Sequence, residues 1–319
     1  MTQLSASFRP ATNYETIHVA TLAGGHDLEI PVHRIRGSAP GPRVGLVALL
    51  HGDETLPNEL IRRVLMRATQ DALSGELIAL PASHGIALET LTRNSPIDML
   101  DLNRSFPGNA EGWLTEQVAH ALADSFLPEI DVLLDLHSGG LLATVDYVYA
   151  ATQARELALA FGCEFTFLTP SPHPGGLLGV AASRGIPGAI LELGGGYAAE
   201  GHLIDKGVRA IENVLRHLEM LDGEPVPLGS QFVFTDLATL RPRAGGILHP
   251  AVTAARLGTV VERHELLGCI TSPLTFEVLE EFYSPFDAGR LLLLRPAIGR
   301  INPGEFAYMI GDVASEEPA

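Results

Sequence analysis

A chain of 319 residues with 46% hydrophobic and 18% charged residues has a globular make-up of about two domains, which excludes intrinsic disorder. Its 38 acidic against 21 basic residues give a formal charge of −17 and a pI near 5.0, which argues against nucleic acid and anionic membranes as partners. Cys163 and Cys269 form no CxxC pair, so neither a disulfide framework nor a structural zinc knot is expected. The start, MTQLSASFRPATNYE, lacks a basic and an apolar region of a secretory signal, and no apolar run nears the length that spans a bilayer. The expectation is a soluble, cytoplasmic protein.

Taken in order, ETIHVAT and DLEIPVHRIR are two β-rich runs around the turn-forming Gly24-Gly25. The patch SAPGPR leads into an apolar strand, Val44–Leu50, and a helix follows from Thr55 to Ala68, with Leu56, Leu60, Ile61, Val64 and Leu65 at helical spacing. Another short strand covers Glu76–Leu80. A long polar stretch, Ser83 to Gly112, separates it from a helix near Thr115 to Ser125. Strands at Val132–Leu136 and Tyr147–Ala150, a helix at Thr152–Phe161, a Pro/Gly loop (Thr169–Gly176), a helix at Gly179–Arg184 and a strand at Ala189–Leu193 follow. A helix from about Ile204 to Leu221 ends this half. Short apolar strands alternating with helices predict an α/β fold, a largely parallel sheet flanked by helices. At Asp222 the pattern changes to DGEPVPLG and then to short β runs (QFVF, GTVV, FEVLEEF, RLLLLR), so residues 1–222 and 223–319 are expected to form two domains, the second smaller and all-β.

Strand Val44–Leu50 runs into His51-Gly52-Asp53-Glu54, and ligands in open α/β sheets collect at such strand ends. HxxE alone is a weak signal. A third donor comes from DVLLDLHSGG, an apolar strand ending in His137. His51, Glu54 and His137 give the two imidazoles and one carboxylate of a catalytic zinc with its fourth position left to water.

With HGDE at 51–54, DLNRSFPG at 101–108, DLHSGG at 135–140 and LELGGG at 191–196, the chain resembles the succinylglutamate desuccinylase/aspartoacylase branch of the zinc carboxypeptidase superfamily. DLHSGG with LELGGG, and NVLRHLEML at 213–221, look most like the ectoine-degradation enzymes that deacetylate N-acetyl-2,4-diaminobutyrate. The resemblance implies a zinc-carboxypeptidase-like mixed sheet and one zinc held by His51, Glu54 and His137. It implies Glu192 as the proton shuttle, and an apolar collar of Ile190, Leu191 and Leu193 would raise its pKa toward working pH. Arg93 matches the arginine that polarises the scissile carbonyl, and Asn103 with Arg104 the pair that grips a substrate carboxylate, a task suited to the planar guanidinium fork. Asp101 matches the aspartate that orients a zinc-bound imidazole, here His51, with Asp53 and Asp135 as weaker candidates. Set against these are plainer readings: an ion-paired carboxylate for Glu192 and a solvated loop residue for Arg93.

His120 reads as a surface partner of Glu116, His264 as a surface residue, and His173 as part of a turn near the substrate mouth. The glycines at 139–140 and 194–196 lack a dinucleotide-site context and suit close backbone approach beside the metal. Beyond residue 223, RPRAGGILHP resembles biotinyl/lipoyl-like sandwiches, but no lysine is present there to carry a cofactor, so that region is structural or shapes the pocket; Tyr283 and Tyr308 read as packing residues. The function implied is a zinc-dependent amidohydrolase that removes a short acyl group from an N-acyl amino acid. The rivals are a zinc carboxypeptidase acting on peptides and a non-catalytic binding protein on the same scaffold. The acyl group, the amino acid, the metal used in the cell and the oligomeric state, homo-oligomer included, are left open by the sequence.

Overall fold

The computed structural model describes residues 13–68, 73–195 and 201–318. In chain order the first half contains β1 (Asn13–Thr21), β2 (Asp27–Arg36), β3 (Ala39–Val47), α1 (Leu56–Arg67), β4 (Ser74–Leu80), α2 (Gly85–Thr90) and α3 (Leu114–Ala121). It continues with β5 (Val132–His137), β6 (Ala143–Thr144), β7 (Tyr147–Ala151), α4 (Arg155–Ala160), β8 (Phe165–Thr169), α5 (Leu177–Ser183), β9 (Gly188–Glu192) and α6 (Gly201–His217). The short strands β10 (Phe232–Phe234) and β19 (Glu317–Pro318) complete a ten-stranded sheet of order β1-β2-β4-β3-β5-β9-β7-β8-β10-β19. Pairing is parallel through β4-β3-β5-β9 and β7-β8-β10, and antiparallel at both ends and between β9 and β7.

Alternation along the strands sends side chains to both faces, and both are covered. Leu77 and Ala79 of β4 join Leu60, Val64, Leu157 and Ile211 of α1, α4 and α6 in one core. Ile78 and Leu80 face the other way, onto Val118, Phe126, Leu177 and Ala181 of α3, α5 and the turn after α3. This is the mixed, helix-flanked sheet the sequence predicts.

After β10 come β11 (Leu237–Leu240), β12 (Gly246–Pro250), β13 (Val260–Glu262), β14 (Leu266–Thr271), β15 (Val278–Tyr283), β16 (Ala288–Leu294), β17 (Gly299–Ile301) and β18 (Tyr308–Asp312). They form two antiparallel sheets, β11-β18-β16-β13 and β15-β14-β12-β17, around a core that includes Leu248, Leu267, Ile270, Phe282, Leu291 and Tyr308. The two halves interlock. QFVF, expected in the second half, supplies β10 of the large sheet, while β6 pairs with β16. A fourth apolar cluster, with Phe165, Phe234, Leu292, Leu293 and Met309, fills the seam. No helix among the described residues is long and apolar enough to cross a membrane.

Some local expectations shift. β3 already spans the Pro/Gly patch, with a register irregularity between Ala39 and Arg43, where an edge-like strand tolerates proline. It also stops at Val47 instead of Leu50, because Leu49 takes a left-handed conformation (φ 56°) that turns the chain out of the sheet. The polar stretch after Ser83 hides α2, six residues long and too short for a periodic signal; its first turn is capped by His84, whose Nδ1 accepts from the Ala87 N–H. β8 and β6 gave no separate signal.

Candidate active site

The centre of the sheet places the chemistry. β5, β9 and β7 are neighbours, and their register sets His137 beside Glu192 and Glu192 beside Tyr147 in one row. From the adjacent β3 the chain leaves through the left-handed Leu49 into a tight turn, in which the Glu54 N–H donates to the His51 carbonyl. α1 begins directly afterwards, with proline in its first turn. The turn therefore projects His51 and Glu54 toward His137, and all three are at least 96% buried.

One atom from each of these three residues lies within 4.8 Å of the others. Glu54 faces both rings, with Oε1 2.8 Å from His51 Nδ1 and Oε2 2.8 Å from His137 Nδ1, and Oε2 also accepts from the Ser138 N–H. On the far side, Asp101 Oδ1 stands 3.2 Å from His51 Nε2 and Asp135 Oδ1 3.1 Å from His137 Nε2. A neutral imidazole donates from one nitrogen only. With a carboxylate close to both nitrogens of both rings, and Arg93 Nη1 3.4 Å from His51 Nδ1, the inner atoms favour positive charge among them. Outer carboxylates that orient two imidazoles are the supporting shell of a metal site. The donor set fits a metal ion, and these three residues could hold one. Burial alone would raise the pKa of Glu54, but the two imidazoles hold it well below the carboxylate range. Burial would lower that of His137, yet Asp135 and Glu54 hold it well above the usual imidazole value.

These residues form one end of a cavity of about 430 Å³, within the range of small-ligand sites. Arg93, Asn103, Arg104, His173 and Glu192 line it as well. Arg93 Nε donates to Asp101 Oδ2 at 3.0 Å, which leaves Nη1 3.6 Å from Glu54 Oε1. Asn103 Oδ1 accepts from the Leu177 N–H at the start of α5, so its Nδ2 is the free donor, 3.4 Å from His137 Nε2. Arg104 Nη1 donates to the Asn103 carbonyl. Glu192 has no side-chain hydrogen bond among the described residues; burial, then the repulsion of Glu54, push its pKa up to about 7. The Gly-rich loops behind it meet closely. Gly139 N–H donates to Gly194 O at 2.7 Å, and a Cβ on Gly195 (φ 142°) would stand 2.2 Å from Leu142 O. Gly196 lies outside the described residues.

The structure brings together every main candidate singled out in the sequence, and two of the weaker ones, Asp135 and His173, with them. Asp101 contacts His51 as anticipated, whereas Asp135 serves His137 instead, because two residues along a strand share a face. Asp53 touches neither ring and lies against Gly140. His173 sits in a turn, its Nδ1 accepting from Gly175 N–H, and also lines the cavity. Tyr308 is in the core, bonded to Leu267 O, and Tyr283 is a surface residue paired with Glu281. Sequence reading missed Tyr147, Tyr149 and Phe167, which reach the cavity because β7 and β8 join the sheet beside β9. It also missed Leu237, Thr239, Arg241, Leu293, Phe306 and Met309, which wall the cavity from beyond residue 223.

Comparison with known proteins agrees with this geometry. The family described as succinylglutamate desuccinylase/aspartoacylase catalytic domain matches residues 40–218. An N-alpha-acetyl-L-2,4-diaminobutyric acid deacetylase from Halomonas elongata is 32% identical over 207 residues, which cover 61% of this chain and 60% of that protein's length. Among solved structures, a succinylglutamate desuccinylase/aspartoacylase from Rhodobacter sphaeroides superposes with a TM-score of 0.81 at 23% identity, over 94% of this chain and 95% of that one. The product-bound ectoine utilization protein EutE (DoeB) from Ruegeria pomeroyi does so with a TM-score of 0.82 at 23% identity, over 96% of each chain, a likeness of fold. From the matched catalytic region, which holds every metal-site candidate, the chain belongs to the succinylglutamate desuccinylase/aspartoacylase family.

Proposed function

We propose that the chain is a zinc-dependent amidohydrolase that removes a short acyl group from an N-acyl amino acid or derivative, with residues 1–222 as the catalytic domain and 223–319 as a β domain that closes the pocket. The observation that carries this reading is a single cavity shared by a metal donor set, a carboxyl group poised near neutrality and arginines suited to a carboxylate. The named activity of the Halomonas relative, deacetylation of an N-acetyl amino acid, supports the reaction class. Likeness to metabolic enzymes supports a cytoplasmic location and a small-molecule partner.

His51, Glu54 and His137 would hold the zinc. When bound, zinc supplies a Lewis acid that brings the pKa of a water toward roughly 7. Glu192, at the open end of β9, accepts the proton of the attacking water and returns it to the departing nitrogen; its elevated pKa suits both directions of transfer. Asp101 fixes Arg93 through Nε, so that the Nη groups face the metal donors and can stabilise charge developing on the carbonyl oxygen, an effect worth roughly 10²–10³ in rate by analogy with oxyanion-hole donors. Arg104 and the Nδ2 of Asn103 bind the substrate carboxylate. Walls supplied by β11, β16 and β18 restrict the cavity to small amides and disfavour a peptide.

The test is a hydrolysis screen of the zinc-loaded protein against N-acetyl, N-succinyl and N-formyl amino acids, each beside its α-amide. Release of the amine from the acids is expected, with Arg104→Lys losing about tenfold in kcat/KM on the acid and little on the amide. Cleavage of C-terminal peptide bonds alone would make the chain a carboxypeptidase. No cleavage at full zinc content would make it a binding protein.

A further inference from the structure

β9 ends at Glu192, and the chain leaves the sheet just beyond it through Gly194 and Gly195, with φ of 54° and 142°. Past a strand end the ladder supplies no further partners, so each backbone group must find its own. The Leu193 N–H donates to the His137 carbonyl at 3.2 Å, and the Gly194 carbonyl accepts from the Gly139 N–H at 2.7 Å. Both of those partners belong to the segment that carries the metal-site candidate His137. The Gly194 N–H is taken by a side chain instead: Asp146 Oδ1 accepts from it at 3.2 Å. The other carboxylate oxygen, Oδ2, accepts from Lys206 Nζ of α6 at 2.7 Å. Lys206 is the only lysine among the 21 basic residues of the chain.

The mechanism proposed above uses neither Asp146 nor Lys206. Asp146 lies immediately before β7, whose Tyr147 is in register with Glu192. Both side chains of the ion pair are largely buried, where solvent and salt screen a charge pair weakly. Burial alone would lower the pKa of Lys206, but Asp146 raises it above the ordinary value. The turn that the pair holds is crowded, since a Cβ on Gly194 would stand 2.4 Å from Leu203 Cδ1. No side-chain hydrogen bond among the described residues holds the Glu192 carboxyl, so the backbone on either side of it sets its direction. Before Glu192 that backbone is held by the β5-β9-β7 ladder. After it come the bonds at Leu193 and Gly194, of which Asp146 makes the one supplied by a side chain. We infer that Asp146, anchored by Lys206, is a positioning residue for the proton shuttle: it fixes the exit of β9 so that the Glu192 carboxyl is held toward the cavity it shares with His51, Glu54 and His137. This inference rests on the hydrolase reading above for the role of Glu192.

The experiment couples Asp146→Ala to Glu192→Gln in a double-mutant cycle. Each zinc-loaded chain is measured for zinc content, for kcat and KM on the best N-acyl amino acid of the screen, and for calorimetric binding of acetohydroxamate. This probe binds zinc and hydrogen-bonds a carboxyl group beside it. Asp146→Ala is expected to lower kcat about tenfold or more at unchanged KM and zinc content, because a small misplacement of a reacting group costs that much. Acetohydroxamate binding should weaken in parallel. In the Glu192→Gln background both effects should vanish, as they do when one residue acts through another. Lys206→Met should reproduce part of the loss, and Lys206→Arg should restore it. Asp146→Asn keeps an acceptor for the Gly194 N–H and drops the ion pair; it takes the place of Asp146→Ala if that chain does not fold, with a smaller loss that depends on Glu192 in the same way. Equal losses in both backgrounds, a loss confined to KM or to zinc content, or no loss at all overturns the inference, while hydrolysis keeps the enzymatic reading standing. Without hydrolysis by any chain, a loss of acetohydroxamate binding that depends on Glu192 supports the role of Asp146 and overturns the hydrolase reading. Binding that Asp146→Ala leaves unchanged in chains without hydrolysis overturns both.

Discussion

The two ends of the cavity are built on different principles. At the metal end, buried polar groups hold one another: Glu54 between two imidazoles, Asp101 and Asp135 behind them, Arg93 braced on Asp101. At the opposite wall the side chains are apolar and come from strands that pack by cluster, with one arginine laid over one ring. Charges in a low-dielectric setting tolerate no missing partner, whereas apolar walls tolerate exchange of shape. The metal end is therefore the part to which a reaction is tied, and the far wall is the part through which substrate choice can vary.

The largest effect is expected where the polar end loses a donor. Purified protein should carry about one zinc per chain, and His137→Ala should lose most of it together with activity, since two ligands rarely retain zinc at an open site. Full metal content in this variant, measured by elemental analysis, would remove His137 from the ligand set. Next comes Glu192→Gln, which keeps volume but cannot accept a proton. It should lower kcat by about 10²-fold or more at unchanged zinc content, and unchanged turnover would assign the shuttle to another group. The supporting carboxylates sharpen the contrast further. Asp101→Asn and Asp135→Asn should each weaken zinc affinity by about 10–100-fold, read by chelator competition, because an amide orients an imidazole less firmly. If Phe306→Leu at the far wall weakened zinc binding as much, the division between the two ends would be wrong.

The same contrast explains what was legible in the sequence. His51, Glu54, His137 and Glu192 sit in contiguous motifs at strand ends, and Asp101, Asn103 and Arg104 in one motif on a short turn of 3-10 helix, because a metal centre needs fixed residue types at fixed places. That Asp135 serves His137 follows from strand alternation and could have been read from DLH at 135–137. The cavity wall was not legible. Tyr147 reaches Glu192 only because β7 inserts antiparallel beside β9, and strand order leaves no mark on the local pattern. Arg241, Phe306 and Met309 come from three separate turns and strands whose sequences read as ordinary β structure. QFVF looked like its neighbours and joins the other sheet, a choice made by packing of Phe232 and Phe234 on Phe165.

The smallest expected effect concerns what holds the metal end from behind. α2 stands next to the His51 turn, where the Gly52 N–H donates to Thr92 O just beyond the helix. The helix is capped by His84, 4% exposed, whose Nδ1 must stay unprotonated to accept from Ala87. Burial, against the opposing pull of Asp98, lowers its pKa to about 4 from the ordinary 6.5. A histidine with a lowered pKa binds more protons unfolded than folded between those values, so its contribution is present above about pH 6.5 and is lost as pH falls toward 4. His84→Asn can keep an acceptor for the cap without titrating in that window. Wild type and variant should therefore differ in slope: from pH 6.5 to 4 the wild type should lose stability more steeply, by up to about one proton's worth. Zinc release in acid is common to both chains and cancels in the difference. Parallel curves in denaturant titrations at successive pH values would mean that His84 titrates alike in the folded and unfolded chain and that the cap does not sense pH.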